Sequence, residues 1–417
     1  MRTTLFLIIA IISLQLNAQK KFTLSECQQK AMANHPAGLK KAELEKINIL
    51  NLDIIKSSYL PEFQINGMAT YQSDVIDLGI NVPGINIPSP AKDQYKMSLD
   101  INQMIYDGGI TKSRKDVQKA SLKTELQQVE LELFSIKKSV NKFFFLHFIL
   151  KDNLELLQNA KNVLSKKLSS VISGVENGVL LNSDLLTLEV EIIRLEQKIE
   201  DVELSLNSSL EILEILTKEN LKNKEFSLPE NPTIAISESN RPENLLFQYQ
   251  KENLKTVAQL KKIQNRPKIF GFAQLGYGKP GLNLMSETFD FYYITGVKFS
   301  WKIWDWEKQK KESNILKLKA DIVDFNEAAF EQNQKIMLAN AQKEIVSLER
   351  KIDKDQKIIK LQKQILEIFS SQLSNGIITS TDYLTKFNAV SEASINLNTH
   401  KIKLIEAIIN YNNIKGN

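Results

Sequence analysis

Chemistry on a polypeptide usually starts with His, Cys, Asp and Glu at telling spacings, and this chain offers few. Its 417 residues include three histidines, His35, His147 and His400, and one cysteine, Cys27. The histidines are dispersed and carry no His-Glu-x-x-His spacing. A lone cysteine makes neither a zinc-type pair nor an intrachain disulfide. Gly271 to Lys279 has the outline of a phosphate loop, but Tyr277 and Gly278 spoil the Gly-Lys-Ser/Thr order. The sequence therefore predicts no catalytic residue, no cofactor, no metal site and no enzyme. Two acids stand out by position. Asp184 and Asp382 each follow a glycine by six residues, in Asn177-Gly178 and Asn375-Gly376, where a helical pattern begins. An acid there can cap the helix and complement its dipole. Repeated around an opening, it can instead form a ring that selects or binds cations. Trp301, Trp304 and Trp306 form a third group, placed where a strand pattern ends. They suit the aromatic girdle of a membrane barrel or a plain apolar cluster at a strand–helix junction.

Those residues sit in a duplicated frame. Asn177 to Thr187 resembles Asn375 to Thr385 at an offset of 198 residues, and the same offset places Tyr106-Asp107-Gly108 on Trp304-Asp305-Trp306. Asn34-His35-Pro36, Pro61 and Tyr71 fall on Asn240-Arg241-Pro242, Pro267 and Tyr277 at a second offset, 206. Landmarks in order at two consistent offsets indicate a repeated unit, with a length change in a loop between the Tyr and the Asp.

Each unit reads as helix, proline, strand pair, long helix, glycine-containing tip and return helix. In the first, Phe63, Ile65, Gly67, Ala69 and Tyr71 alternate with Gln64, Asn66, Met68, Thr70 and Gln72. Tyr95, Met97, Leu99 and Ile101 alternate with Lys96, Ser98, Asp100 and Asn102. Runs of about ten residues with one apolar face suit transmembrane β-strands, and a soluble hairpin would show the same alternation. Val82 to Pro90 reads as the loop between them. Leu122, Leu126, Val129, Leu133, Ile136, Val140 and Phe143 then step by four and three, a coiled-coil seam. No Pro or Gly interrupts residues 110–173, enough for a rod of roughly 95 Å.

The expected limits are a signal peptide at 1–18 and a first repeat at 19–221. That repeat has strands at 62–72 and 94–105, a long helix at 109–173, a tip at 174–182 and a return helix at 183–217. A connector at 222–240, with Pro229 and Pro232, reads as irregular. The second repeat, 241–417, has strands at 268–277 and 292–303, a long helix at 308–372, a tip at 373–380 and a return helix at 381–413. The leader rests on Arg2, the apolar run Leu5 to Leu16 and the small Ala18, in the order of a secretory signal. The 54 basic and 49 acidic residues leave a formal charge of +5, too small and too mixed to argue for nucleic acid. Four strands cannot close a membrane barrel, so a membrane reading requires several chains to share one.

This order, twice after a leader, resembles the TolC-like outer-membrane factors over essentially the whole mature chain. The resemblance implies a mixed α/β membrane protein, mainly long helices, assembled as a homotrimer. The four strands of each chain would enter a shared twelve-stranded outer-membrane barrel in contact with lipid, above a periplasmic α-helical barrel. It implies a passive exit duct for tripartite efflux or type I secretion, fed by an inner-membrane transporter through a periplasmic adaptor. Adaptor docking then maps to Asn177, Gly178, Asn375 and Gly376, and an aperture charge ring to Asp184 and Asp382. Two positions in each repeat depart from the family: Thr187 and Thr385 stand in place of a second acid, and Leu180 and Ile378 in place of an arginine. The alternative is a periplasmic coiled-coil scaffold or adaptor-like protein without a pore.

Overall fold

A computed structural model describes residues 21–76, 91–236 and 239–416. The leader and the Val82–Pro90 loop lie outside these residues. In chain order the elements are β1 (Phe22–Thr23), α1 (Leu24–Asn34), α2 (Pro36–Ser57), β2 (Glu62–Tyr71), β3 (Asp93–Tyr106), α3 (Ile110–Glu176) and α4 (Asn182–Thr217). They continue as β4 (Phe226–Ser227), α5 (Pro242–Ile263), β5 (Lys268–Lys279), β6 (Asp290–Ser300), α6 (Lys308–Ser374) and α7 (Ser380–Lys415). The two long helices are 67 residues each and the two return helices 36 each. No helix is apolar and long enough to cross a membrane among the described residues.

The chain forms two compact units, and neither is a sequence repeat. One holds residues 42–127 and 246–327; the other holds 1–41, 128–245 and 328–417. Each unit therefore draws on both halves of the sequence.

The first of these is built on one antiparallel sheet in the order β2-β3-β5-β6. Ile65 pairs with Leu99, Leu99 with Leu275 and Leu275 with Tyr293, so these four side chains share a face. That face also carries Phe63, Met97, Tyr277, Phe291 and Val297, and it is exposed: Ile65 is 68% accessible and Phe291 86%. The opposite face is mostly polar in β2 and β3 and mixed in β5 and β6, where Phe270, Phe272 and Ile294 join it. There Asp100 accepts hydrogen bonds from Asn66 and from Gln274.

Both strand-to-helix junctions use an Asp that folds the chain into the next helix. Tyr59 Oη and the Gly109 amide donate to Asp107 Oδ1, each at 2.8 Å, and the Thr111 amide donates to Oδ2. Burial pushes the Asp107 carboxyl up, but these donors outweigh it and hold its pKa down at about 2. Asp305 repeats the pattern, accepting from Asn265 Nδ2 at 2.6 Å and from the Gln309 amide at 3.0 Å. Each turn requires two consecutive left-handed residues. The first half supplies Gly108 and Gly109 (φ 71° and 90°), and the second forces Trp306 and Glu307 (φ 55° and 58°) into the same region. A side chain in that region costs about 1–2 kcal/mol. Glu307 makes an exposed ion pair with Lys310 at 3.4 Å, which is worth little. Glu307→Gly is therefore expected to leave the protein as stable or to gain about 1 kcal/mol, read as a rise in its thermal unfolding midpoint.

Asp107 gives a pH prediction. A carboxylate with its pKa lowered on folding stabilises the protein above the unfolded value, near 4. That contribution is lost as pH falls through about 2. Asp107→Asn is expected to cost about 2 kcal/mol at neutral pH, and its stability should fall less than the wild type's between pH 4 and pH 2. Equal acid sensitivity in the two proteins would contradict the assignment.

In the second unit Val129, Leu133, Ile136 and Val140 are buried, as a helical seam requires. Beyond Val140 the buried set becomes Phe144 and Phe148, while Phe143 is only half-buried. A straight helix drifts against a strict seven-residue repeat, and here the drift is captured by an aromatic knot. Phe144 and Phe148 pack on Phe226, as do Phe22 and His147. Burial, with Lys151 nearby, lowers the His147 pKa to about 4, so the ring is neutral. Phe22 and Phe226 are partners in a short parallel pair, β1 with β4. The connector is thus not wholly irregular: it contributes a strand that the sequence pattern did not show, because two residues have no readable period.

Candidate functional site: the two helix tips

The two glycine-containing tips are built alike. At the first, the Gly178 amide donates to the Val175 carbonyl and the Val179 amide to that of Gly174, at 3.0 and 2.8 Å. At the second, the Gly376 amide donates to Leu373 and the Ile377 amide to Gln372, at 3.0 and 2.9 Å. Both are Schellman caps, which close a helix through a left-handed residue; φ is 75° at Gly178 and 68° at Gly376. Asn177 and Asn375 complete each cap, their side-chain amides donating to the Ser173 and Ser371 carbonyls at 2.7 and 2.9 Å. The first long helix therefore ends at Glu176, three residues beyond the expected end at 173. Gly174 stays in the last turn because the cap uses its carbonyl.

The glycines are not equivalent. A Cβ on Gly178 would meet nothing within 4 Å, whereas one on Gly376 would stand 2.8 Å from the Val179 carbonyl oxygen. The second turn thus rests on the backbone of the first.

The two acids also differ. Asp382 and Thr379 form a reciprocal capping box: the Thr379 amide donates to Asp382 Oδ2 at 3.1 Å, and the Asp382 amide to Thr379 Oγ1 at 3.3 Å. Hydrogen bonds from the Thr379 side chain and backbone lower the Asp382 pKa, and the residue is exposed. Asp184 is 7% exposed. Its Oδ2 accepts the Leu181 amide at 3.2 Å, capping α4, and its Oδ1 accepts the Ser380 amide at 2.7 Å, capping α7. One carboxylate thereby serves both return helices, a role sequence spacing could not reveal because Ser380 lies in the other repeat.

Beneath the turns, Leu164, Val171, Leu188, Leu373, Leu384 and Phe387 form the core where α3, α4, α6 and α7 meet. Leu180 and Ile378 pack against it, so the positions where the family resemblance expected arginine hold apolar side chains turned into the core. Lys167 crosses from α3 to donate to the Ser370 carbonyl at 3.0 Å and the Ser374 hydroxyl at 2.8 Å. A cation is well placed there, at the carbonyl end of α6. Val179, Leu181 and Ile377 remain exposed around the turns.

Trp301, Trp304 and Trp306 belong to the other unit, follow the end of β6 and are exposed; Trp304 and Trp306 stand edge-on with centroids 6.1 Å apart. Among the described residues no group of three His, Cys, Asp or Glu side chains could hold a metal ion.

Solved structures match this arrangement nearly end to end. The CmeC outer membrane channel of Campylobacter jejuni aligns over 94% of this chain and 85% of its own, with a TM-score of 0.66 and 18% identity. The outer membrane protein VceC of Vibrio cholerae aligns over 93% and 95%, with a TM-score of 0.65 and 13% identity. The fold is that of the outer-membrane channels. The MtrE outer membrane channel of Neisseria gonorrhoeae, in its open state, gives a TM-score of 0.63 over 94% of this chain and 88% of its own, at 14% identity. No family model and no curated protein matches the sequence. The channel fold thus persists here at identities of 18% and below, carried by the helix, strand and tip order.

Proposed function

We propose that this chain is one protomer of a homotrimeric outer-membrane exit duct. Inner-membrane transporters would load the duct through a periplasmic adaptor, and cargo would pass through it passively. The observation that carries this reading is the sheet. It has one exposed apolar face, a more polar face opposite, and two edges, on β2 and β6, that pair with no described strand. In lipid an unpaired edge is prohibitive, so a further strand must meet each edge. Twelve strands from three chains would close a barrel, with the apolar faces outward and Trp301, Trp304 and Trp306 at the headgroup level. The likeness to solved outer-membrane channels supports the same assembly.

The tips would be the docking surface for the adaptor, through the turns at Asn177-Gly178 and Asn375-Gly376 and the exposed Val179, Leu181 and Ile377. Asp382 is the acid best placed for an aperture charge, since it is exposed; Asp184 is occupied by its two amides.

Imaging of detergent-extracted particles from outer membranes tests the assembly. Three-fold particles with a hollow shaft are expected; soluble monomers or solid rods from the periplasmic fraction would instead favour a scaffold. In lipid bilayers, Asp382→Ala is expected to weaken block by divalent cations severalfold, and unchanged block would leave Asp382 as a helix cap alone.

A further inference from the structure

The polar face of the sheet ends in a cationic cleft of about 310 Å³ at the junction of β5, β6 and α6. Five of its lining side chains are basic: Lys261, Arg266, Lys268, Lys302 and Lys308. Its two acids are already engaged. Asp305 accepts from Asn265 and the Gln309 amide, and Glu312 pairs with Lys261 at 3.2 Å. Among the described residues, Lys268, Lys302 and Lys308 make no ion pair within 4 Å and no side-chain hydrogen bond. Lys302 also acts on the Asp305 carboxylate, which leaves Lys268 and Lys308 as the ammonium groups with no acid matched to them, and an anion seated in the cleft would join all three.

The cleft's orientation decides what kind of anion. Lys268 pairs with Ser300 across the β5–β6 ladder, on the polar face that also bears Lys298. The apolar face points the other way, so the cleft does not look toward lipid. We infer that it is a binding site for a small soluble dianion, a phosphate- or carboxylate-bearing organic molecule. Arg266 supplies a planar donor; its Nη1 also donates to the Gly108 carbonyl at 3.2 Å, which fixes its position beside the cleft. The cleft exists within one chain. In the trimeric duct proposed above, three copies would line one passage as a basic collar, the arrangement that favours anions in pores.

Inorganic pyrophosphate is the probe. Calorimetric titration of the detergent-solubilised protein is expected to show binding that weakens at least about tenfold in the triple variant Lys268→Gln/Lys302→Gln/Lys308→Gln. The milder single variant Lys302→Gln, at an exposed position, should show an intermediate loss. Thermal unfolding of each variant verifies that it is folded. In bilayers, pyrophosphate should block wild-type current, and the triple variant should need about tenfold more for the same block. Wild-type protein that fails to bind pyrophosphate would overturn the site. So would binding that survives in the folded triple variant, or binding of phosphatidylglycerol micelles in place of pyrophosphate. Lysine-dependent binding in a protein that forms no channel would sustain the site and overturn the duct.

Discussion

Asp184→Ala is expected to cost about 2–4 kcal/mol, more than any other single change at the tips. It removes a cap from two helices at once and leaves the buried Ser380 amide without an acceptor. The corresponding Asp382→Ala removes one exposed cap and should cost clearly less. Amide exchange measured across both repeats reads the difference. Asp184→Ala should speed exchange in the first turns of α4 and of α7, while Asp382→Ala should affect α7 only. Acceleration confined to α4 in the Asp184 variant would show that the bond to Ser380 carries no weight.

The second large effect lies in the sheet. Ile65 sits mid-strand on the apolar face, 68% exposed. At the centre of a bilayer an Arg on the lipid side of a barrel costs about 2–4 kcal/mol, and the proposed trimer would bear it three times. Ile65→Arg is thus expected to abolish heat-modifiable trimers in the outer-membrane fraction. Gln64→Arg, one residue away on the polar face, should leave them largely intact. Equal loss in both variants, or in neither, would contradict the assignment of the apolar face to lipid.

What the sequence disclosed was what backbone sterics and period enforce locally. Gly178 and Gly376 were readable because a left-handed cap selects glycine, and the strands because alternation marks two faces. Asp107 and Asp305 surfaced only as landmarks of the repeat, although their hydrogen bonds organise both junctions. The hidden features share one trait: their cause is elsewhere in the chain. Nothing in Trp306-Glu307 announces two left-handed residues; only superposition on Gly108-Gly109 does. The double cap by Asp184 needs Ser380, 196 positions away. The basic cleft gathers side chains from a helix end, two strands and a helix start, none of which forms a charge run.

The pairing of β3 with β5 sets a schedule as well as a shape. Tyr95 lies opposite Lys279 in that ladder, so the first hairpin must wait for the second. At about 5–20 residues per second, ribosomal synthesis alone places roughly 10 to 40 s between the two partners. Through that interval the earlier hairpin would present an apolar face and open edges to whatever surrounds it, the combination that invites aggregation. A chain of this topology therefore depends on being held in an unfolded or chaperoned form until its second half has arrived, and its yield in a cell should be limited by that custody rather than by the stability of the finished protein.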